Sequence, residues 1–144
     1  MEGDLLPYLC QEKQLYVRKL EGFWADITTP KDLLYAQKMY LKEFEHIEAS
    51  KFPSAVGNVL IDPTAQIDPT AIIGPNVIIG PNCKIGKGVR ILNSALFEGV
   101  EIKGHTFIKN SIIGWRSIVG SWVRIEGISV LAEDVIVMNE IFIN

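Results

Sequence analysis

From Ile61 to the end of the chain, an aliphatic residue returns at almost every sixth position. The series runs Ile61, Ile67, Ile73, Ile79, Ile85 and Ile91. It shortens by one to Leu96, continues through Ile102 and Ile108, and shortens again to Ile113. It then proceeds through Val119, Ile125, Leu131, Val137 and Ile143. The two short steps fall in the same motif, Ile91-Leu-Asn-Ser-Ala-Leu96 and Ile108-Lys-Asn-Ser-Ile-Ile113. Four residues after each early aliphatic comes a second small or apolar residue: Ala65, Ala71, Val77, Cys83 and Val89. Between them stand corner residues, among them Asp62-Pro63, Asp68-Pro69, Gly74-Pro75 and Gly80-Pro81, with Asn76 and Asn82 suited to a left-handed backbone. A helix needs apolar spacing near 3.6 and a lone strand alternates by two. A period of six fits short strands joined by corners, three to a turn and stacked in register. The reading is a mainly β chain whose residues 59–144 form a parallel β-helix with one continuous aliphatic core.

Residues 1–58 have another character. Leu15–Leu20 and Gly22–Ile27 read as two short strands. A helix follows, with Thr29 as N-cap, Pro30 in the first helical position and Asp32 closing a capping box. Leu33, Ala36, Tyr40, Phe44 and Ile47 make one apolar face, and Leu34 and Leu41 a second. Residues 50–58 read as a linker. Two strands and a helix bury too little to stand alone. Residues 1–49 are therefore expected to be a short α/β remnant of a larger domain, or else a cap over the open first coil.

Composition excludes several classes. Seventeen acidic against fourteen basic side chains leave a net charge of −3, without the basic face a nucleic acid partner needs. Two cysteines, Cys10 and Cys83, lie far apart and suggest neither a disulfide framework nor a metal site. No apolar run approaches the length of a membrane span, and Met1-Glu-Gly-Asp4 does not open a signal peptide. A soluble cytoplasmic protein is the expectation.

The order of motifs carries a resemblance. Glu21-Gly-Phe-Trp-Ala-Asp-Ile27, then Pro30-Lys-Asp32, a helix and hexapeptide repeats resemble the sugar-nucleotide pyrophosphorylases. Val56–Pro63, Ile113-Gly-Trp-Arg116, Val119-Gly-Ser-Trp-Val-Arg-Ile-Glu126 and Val130–Val137 look most like the mannose-1-phosphate guanylyltransferases among them. The resemblance implies a left-handed β-helix. It also implies a nucleotidyltransferase that uses GTP and mannose 1-phosphate, forms GDP-mannose and pyrophosphate, and takes Mg²⁺ as cofactor. By match to the family's Trp-Ala-Asp motif, Asp26 is the candidate metal ligand, since a hard cation takes oxygen donors. The family's glycine-rich phosphate loop, its first metal aspartate and its sugar-phosphate lysine have no counterpart here, and Thr28 stands where glycine is usual. The chain also stops at Asn144 in mid-repeat, so it reads as truncated at both ends and, alone, as catalytically inactive.

Trp115, Arg116, Trp122 and Arg124 cluster in one coil neighbourhood and are interface candidates, because tryptophan and arginine are enriched at interface hot spots. They point to a homo-oligomer, or to a hetero-oligomer with a homologous subunit. His105 reads as a corner residue more readily than as the general base of a hexapeptide acyltransferase, and His46 as part of a solvated helix face with Glu43, Glu45 and Glu48. Three functions compete. The first is a guanylyltransferase fragment, the second a non-catalytic assembly or regulatory module, and the third, least favoured, an acyltransferase.

Overall fold

The computed structural model describes residues 2–43 and 52–144. Fifteen short strands in the second of these stretches form three parallel sheets of five. The first sheet holds β1 (Val59–Ile61), β4 (Val77–Ile79), β7 (Ala95–Leu96), β10 (Ile112–Ile113) and β13 (Val130–Leu131). The second holds β2 (Gln66–Ile67), β5 (Lys84–Ile85), β8 (Glu101–Ile102), β11 (Ile118–Val119) and β14 (Ile136–Val137). The third holds β3 (Ile72–Ile73), β6 (Arg90–Leu92), β9 (Phe107–Lys109), β12 (Arg124–Ile125) and β15 (Phe142–Ile143). Each strand pairs with the third before it and the third after it, so three strands make one coil and five coils make the β-helix.

The six-residue series is the core. Ile73, Ile91, Ile108, Ile125 and Ile143 are register partners in the third sheet, and the other two sheets stack the remaining ten positions likewise. All are buried except Ile67, Leu131 and Ile143, which lie in the end coils and pack partly buried against the rest. The second repeating position also points inward: Val77, Cys83, Val89, Val100 and Val123 are buried. At Thr106 and Ser117 the same position is polar and still buried, because each hydroxyl is satisfied. Thr106 Oγ1 donates to the Gly120 carbonyl at 2.7 Å, and Ser117 Oγ to that of Ala132 at 2.8 Å.

Both short steps occur at the corner between the third sheet and the first. Asn76, Asn93 and Asn110 stack there with φ of 56°, 44° and 52°. Their side chains form a ladder, Asn76 Nδ2 to Asn93 Oδ1 at 2.9 Å and Asn93 Nδ2 to Asn110 Oδ1 at 3.2 Å. Beside it Ser94 and Ser111 are fully buried and donate to the carbonyls of Leu92 and Lys109. A skipped residue is tolerated because the skip is stacked on itself and its polar groups are paired.

The front third differs in part from expectation. The two strands expected at Leu15–Leu20 and Gly22–Ile27 do not form; residues 14–29 contain no strand. A strand needs a neighbour to take its ladder bonds, and no described residue pairs with this segment. Tyr16 and Val17 are almost fully exposed. An unanticipated helix, α1 (Glu2–Gln11), precedes it, with Pro7 inside. The second helix, α2 (Pro30–Glu43), starts as read. The Thr29 amide donates to Asp32 Oδ2 at 2.9 Å and the Asp32 amide to Thr29 Oγ1 at 3.3 Å. These bonds, with those from the Thr28 and Thr29 hydroxyls, hold the Asp32 carboxyl below its usual range. Phe44, His46, Ile47 and the first two residues of the expected linker lie outside the described residues. The rest of that stretch lies along the first coil. Ala55 bridges to Ile73, and the Val56 amide donates to the Ile73 carbonyl at 2.8 Å.

Candidate functional site

Two surface features are built on the scaffold. The first is where α2 meets the outer side of the first sheet. Outward-facing positions of that sheet are apolar on every rung, Leu60, Ile78, Ala95, Ile112 and Val130, whereas the second sheet presents Gln66, Lys84 and Glu101 on its first three rungs and Ile118 and Ile136 on its last two. The helix lies on the flank of the second and third coils. Ala36, Gln37 and Leu41 are its buried residues. Gln37 Nε2 donates to the carbonyl of Asn76 at 2.9 Å and to that of Ser94 at 3.0 Å. One amide thus clasps the helix to the corner where the repeat is skipped. A groove of about 460 Å³ remains beside it, lined by Ile27, Leu33 and Tyr40 on one side and by Ile78, Phe97 and Trp115 on the other. Gln37 gave no sequence signal beyond its place between Leu33 and Leu41.

The second feature is a set of stacked corners. Trp115 and Arg116 occupy the corner between β10 and β11, and Trp122 the corner between β11 and β12. The four interface candidates therefore share a coil, with Trp115 and Arg116 at one corner, Trp122 at the next and Arg124 on the strand β12 that follows it. Trp115 stacks on Phe97 of the coil below, ring centroids 4.3 Å apart. Trp122 stacks on His105, centroids 4.5 Å apart. Arg116 grips Asp134 through Nε at 2.8 Å and Nη2 at 2.7 Å, and reaches Glu133 at 3.2 Å. That grip lowers the Asp134 carboxyl and raises the arginine further above its ordinary value. Arg124 pairs with Glu126 at 3.0 Å and lies 4.9 Å from the centre of the Phe107 ring. His105 is an exposed corner residue with φ of 61°. The corner needs this left-handed backbone, and Gly88 meets the same need one coil below with φ of 65°.

Asp26 is exposed, three residues before the α2 cap. Among the described residues no group of three or more histidine, cysteine or carboxylate side chains could hold a metal. Asp26 is thus a single oxygen donor among the described residues, fewer than the near-octahedral set that Mg²⁺ takes. Cys83 is core: burial raises its thiol, which contacts the Phe97 carbonyl at 3.0 Å. No described helix is long and apolar enough to cross a membrane.

Comparison with known proteins agrees with the motif order. Over its whole length the chain is 47% identical to mannose-1-phosphate guanylyltransferase catalytic subunit beta of Danio rerio. It is 48% identical to the protein of that name in Drosophila melanogaster and 50% identical to mannose-1-phosphate guanyltransferase of Candida albicans. It spans only 40–41% of the length of these relatives. Among solved structures, the UDP-N-acetylglucosamine acyltransferase of Francisella novicida overlays with a TM-score of 0.49 at 19% identity, covering 62% of this chain and 43% of that one. Residues 55–144 match the family model described as the GMPPB C-terminal domain. The chain belongs to the GMPPB C-terminal domain family.

Proposed function

We propose that the chain is the β-helix part of a mannose-1-phosphate guanylyltransferase, and that it contributes assembly and support rather than chemistry. The intact enzyme joins GTP and mannose 1-phosphate to give GDP-mannose and pyrophosphate. The observation that carries this reading is the 45–50% identity, along all 144 residues, to relatives of that name. The glycines support the division of labour. Apart from Gly3 and Gly22, all lie from Gly57 onward, at or near the β-helix corners, and none forms a phosphate-cradling loop. Phosphoryl transfer rests on positioning and charge neutralisation, and one exposed carboxylate supplies neither alone. Asp26 enters the proposal as a ligand that needs further oxygen donors from outside the 144 residues before Mg²⁺ binds. The protein is placed in the cytoplasm, as a homo-oligomer or in complex with a homologous subunit.

The test is complementation. The 144-residue chain is assayed for GDP-mannose with GTP, mannose 1-phosphate and Mg²⁺, alone and co-expressed with the remaining portion of the Danio rerio relative. Product is expected only from the combination, and Asp26→Ala should abolish it. GDP-mannose made by the chain alone at an Asp26-dependent rate would overturn the reading. So would failure to complement where the relative's own matching portion succeeds.

A further inference from the structure

The outward face of the third sheet carries an alternating row that extends beyond the Arg124–Phe107 contact. Register places Arg90, Phe107, Arg124 and Phe142 on four successive rungs, above Ile72. Rungs of a sheet are about 4.8 Å apart, so cation and ring alternate along a strip about 15 Å long. The inner pair is already in contact, with Arg124 over the Phe107 ring at 4.9 Å. The outer two are not. Arg90 is exposed and has no ion pair or hydrogen bond from its side chain among the described residues, and Phe142 is 61% exposed with no ring or cation against it there.

We infer that this face pairs with the same face of a second copy, antiparallel, about a two-fold axis between Phe107 and Arg124. The order arginine, phenylalanine, arginine, phenylalanine is complementary to itself when reversed. Arg90 then meets the partner's Phe142 and Phe107 meets the partner's Arg124, each contact made twice by symmetry. The outer residues that lack partners within the chain become partners of each other. A parallel arrangement would set arginine on arginine. Arginine over an aromatic ring keeps its charge while covering apolar surface, which suits a face exposed part of the time. Trp122, 64% exposed on its His105 stack at the adjoining corner, extends the strip. The strip alone is smaller than the roughly 800 Å² per partner of a standard interface, so the dimer is concentration-dependent.

This inference rests on the assembly role proposed above and names its face. The test is light scattering and sedimentation equilibrium of the full 144-residue chain over a wide concentration range. Wild type should pass from monomer to dimer. Arg124→Phe removes two of four arginine–ring pairs and should weaken the dimer about tenfold or more. The double variant Phe107→Arg/Arg124→Phe restores every reversed pair and should recover association. All of these positions face outward, and circular dichroism checks that the β-helix is intact. A dimer indifferent to Arg124→Phe, or one weakened but not recovered by the double variant, overturns this face and leaves assembly by another. A monomer at every concentration overturns both.

Discussion

Ile108→Ala tests whether the aliphatic stack is one cooperative core. Ile108 lies in the middle coil, and it and its register partners Ile91 and Ile125 are all fully buried. The change removes three carbon groups, which at ~0.8 kcal/mol each gives ~2.4 kcal/mol of lost transfer energy. The coils above and below are held by backbone ladders and cannot close the gap. A cavity of about 60 Å³ at ~24 cal/mol per Å³ therefore adds ~1.5 kcal/mol. The sum, about 4 kcal/mol, is near the top of the usual range for this substitution. At about 3 °C per kcal/mol, the melting temperature should fall by about 12 °C. The control is Ile143→Ala, at the same stack position but partly buried in the last coil, where about 1–2 kcal/mol is expected. Urea unfolding followed by circular dichroism measures both. Equal losses at the two sites, or a loss under about 1 kcal/mol at Ile108, would refute the stacked-core argument.

Three further outcomes follow from the geometry. Gln37→Leu removes the side-chain donor from the Asn76 carbonyl and one of two donors from that of Ser94, which keeps the Ile78 amide at 3.1 Å, costing about 1–3 kcal/mol; hydrogen exchange should quicken along α2 and stay unchanged in the β-helix interior. Asp62 and Asp68 are held below the usual carboxylate range by their bonds from Thr64 and Thr70. Their stabilisation is present above the ordinary carboxylate pKa and disappears as pH falls through the lowered folded values, so Asp62→Asn/Asp68→Asn should flatten the acid limb of a plot of melting temperature against pH. Gly120→Ala would set its Cβ 2.7 Å from the Asn139 amide nitrogen and 2.8 Å from the Met138 carbonyl carbon; since backbone must shift, thermal melts should show a loss of about 1–3 kcal/mol.

The fold was legible because its period is enforced by stacking. An aliphatic residue at each sixth position is required by the coil above and the coil below, so each repeat testifies to the others. Even the skips could be read, since Asn93-Ser94 and Asn110-Ser111 sit on each other. The front third offered no such redundancy. The aromatic and β-branched content of residues 15–27 satisfies the propensity for a strand, but propensity supplies no partner strand, and none of the described residues provides one. The α2 cap was legible because a capping box is closed within four residues. Gln37 was not, because its two acceptors lie 39 and 57 residues away in sequence. The tryptophan and arginine candidates were found by residue type, yet their division between two corners and the strand β12 depends on which side of β11 each falls, and that is a property of the coil.

A uniform interior places the functional differences on the outside. The aliphatic stack is nearly the same on all three sheets, so it explains why the chain folds and says nothing of what each face is for. The outward rows differ by sheet: apolar on the first, where α2 lies; polar on the second from Gln66 through Lys84 to Glu101 and then apolar at Ile118 and Ile136; alternating arginine and ring on the third above Ile72. A β-helix extends each choice over its length, because rung-to-rung register turns one position per coil into a continuous strip. One face can therefore hold the rest of the chain while another meets a second copy, and a substitution on either row leaves the shared core in place. That separation is why the Arg124 and Gln37 variants should act independently, with association lost in one and α2 loosened in the other.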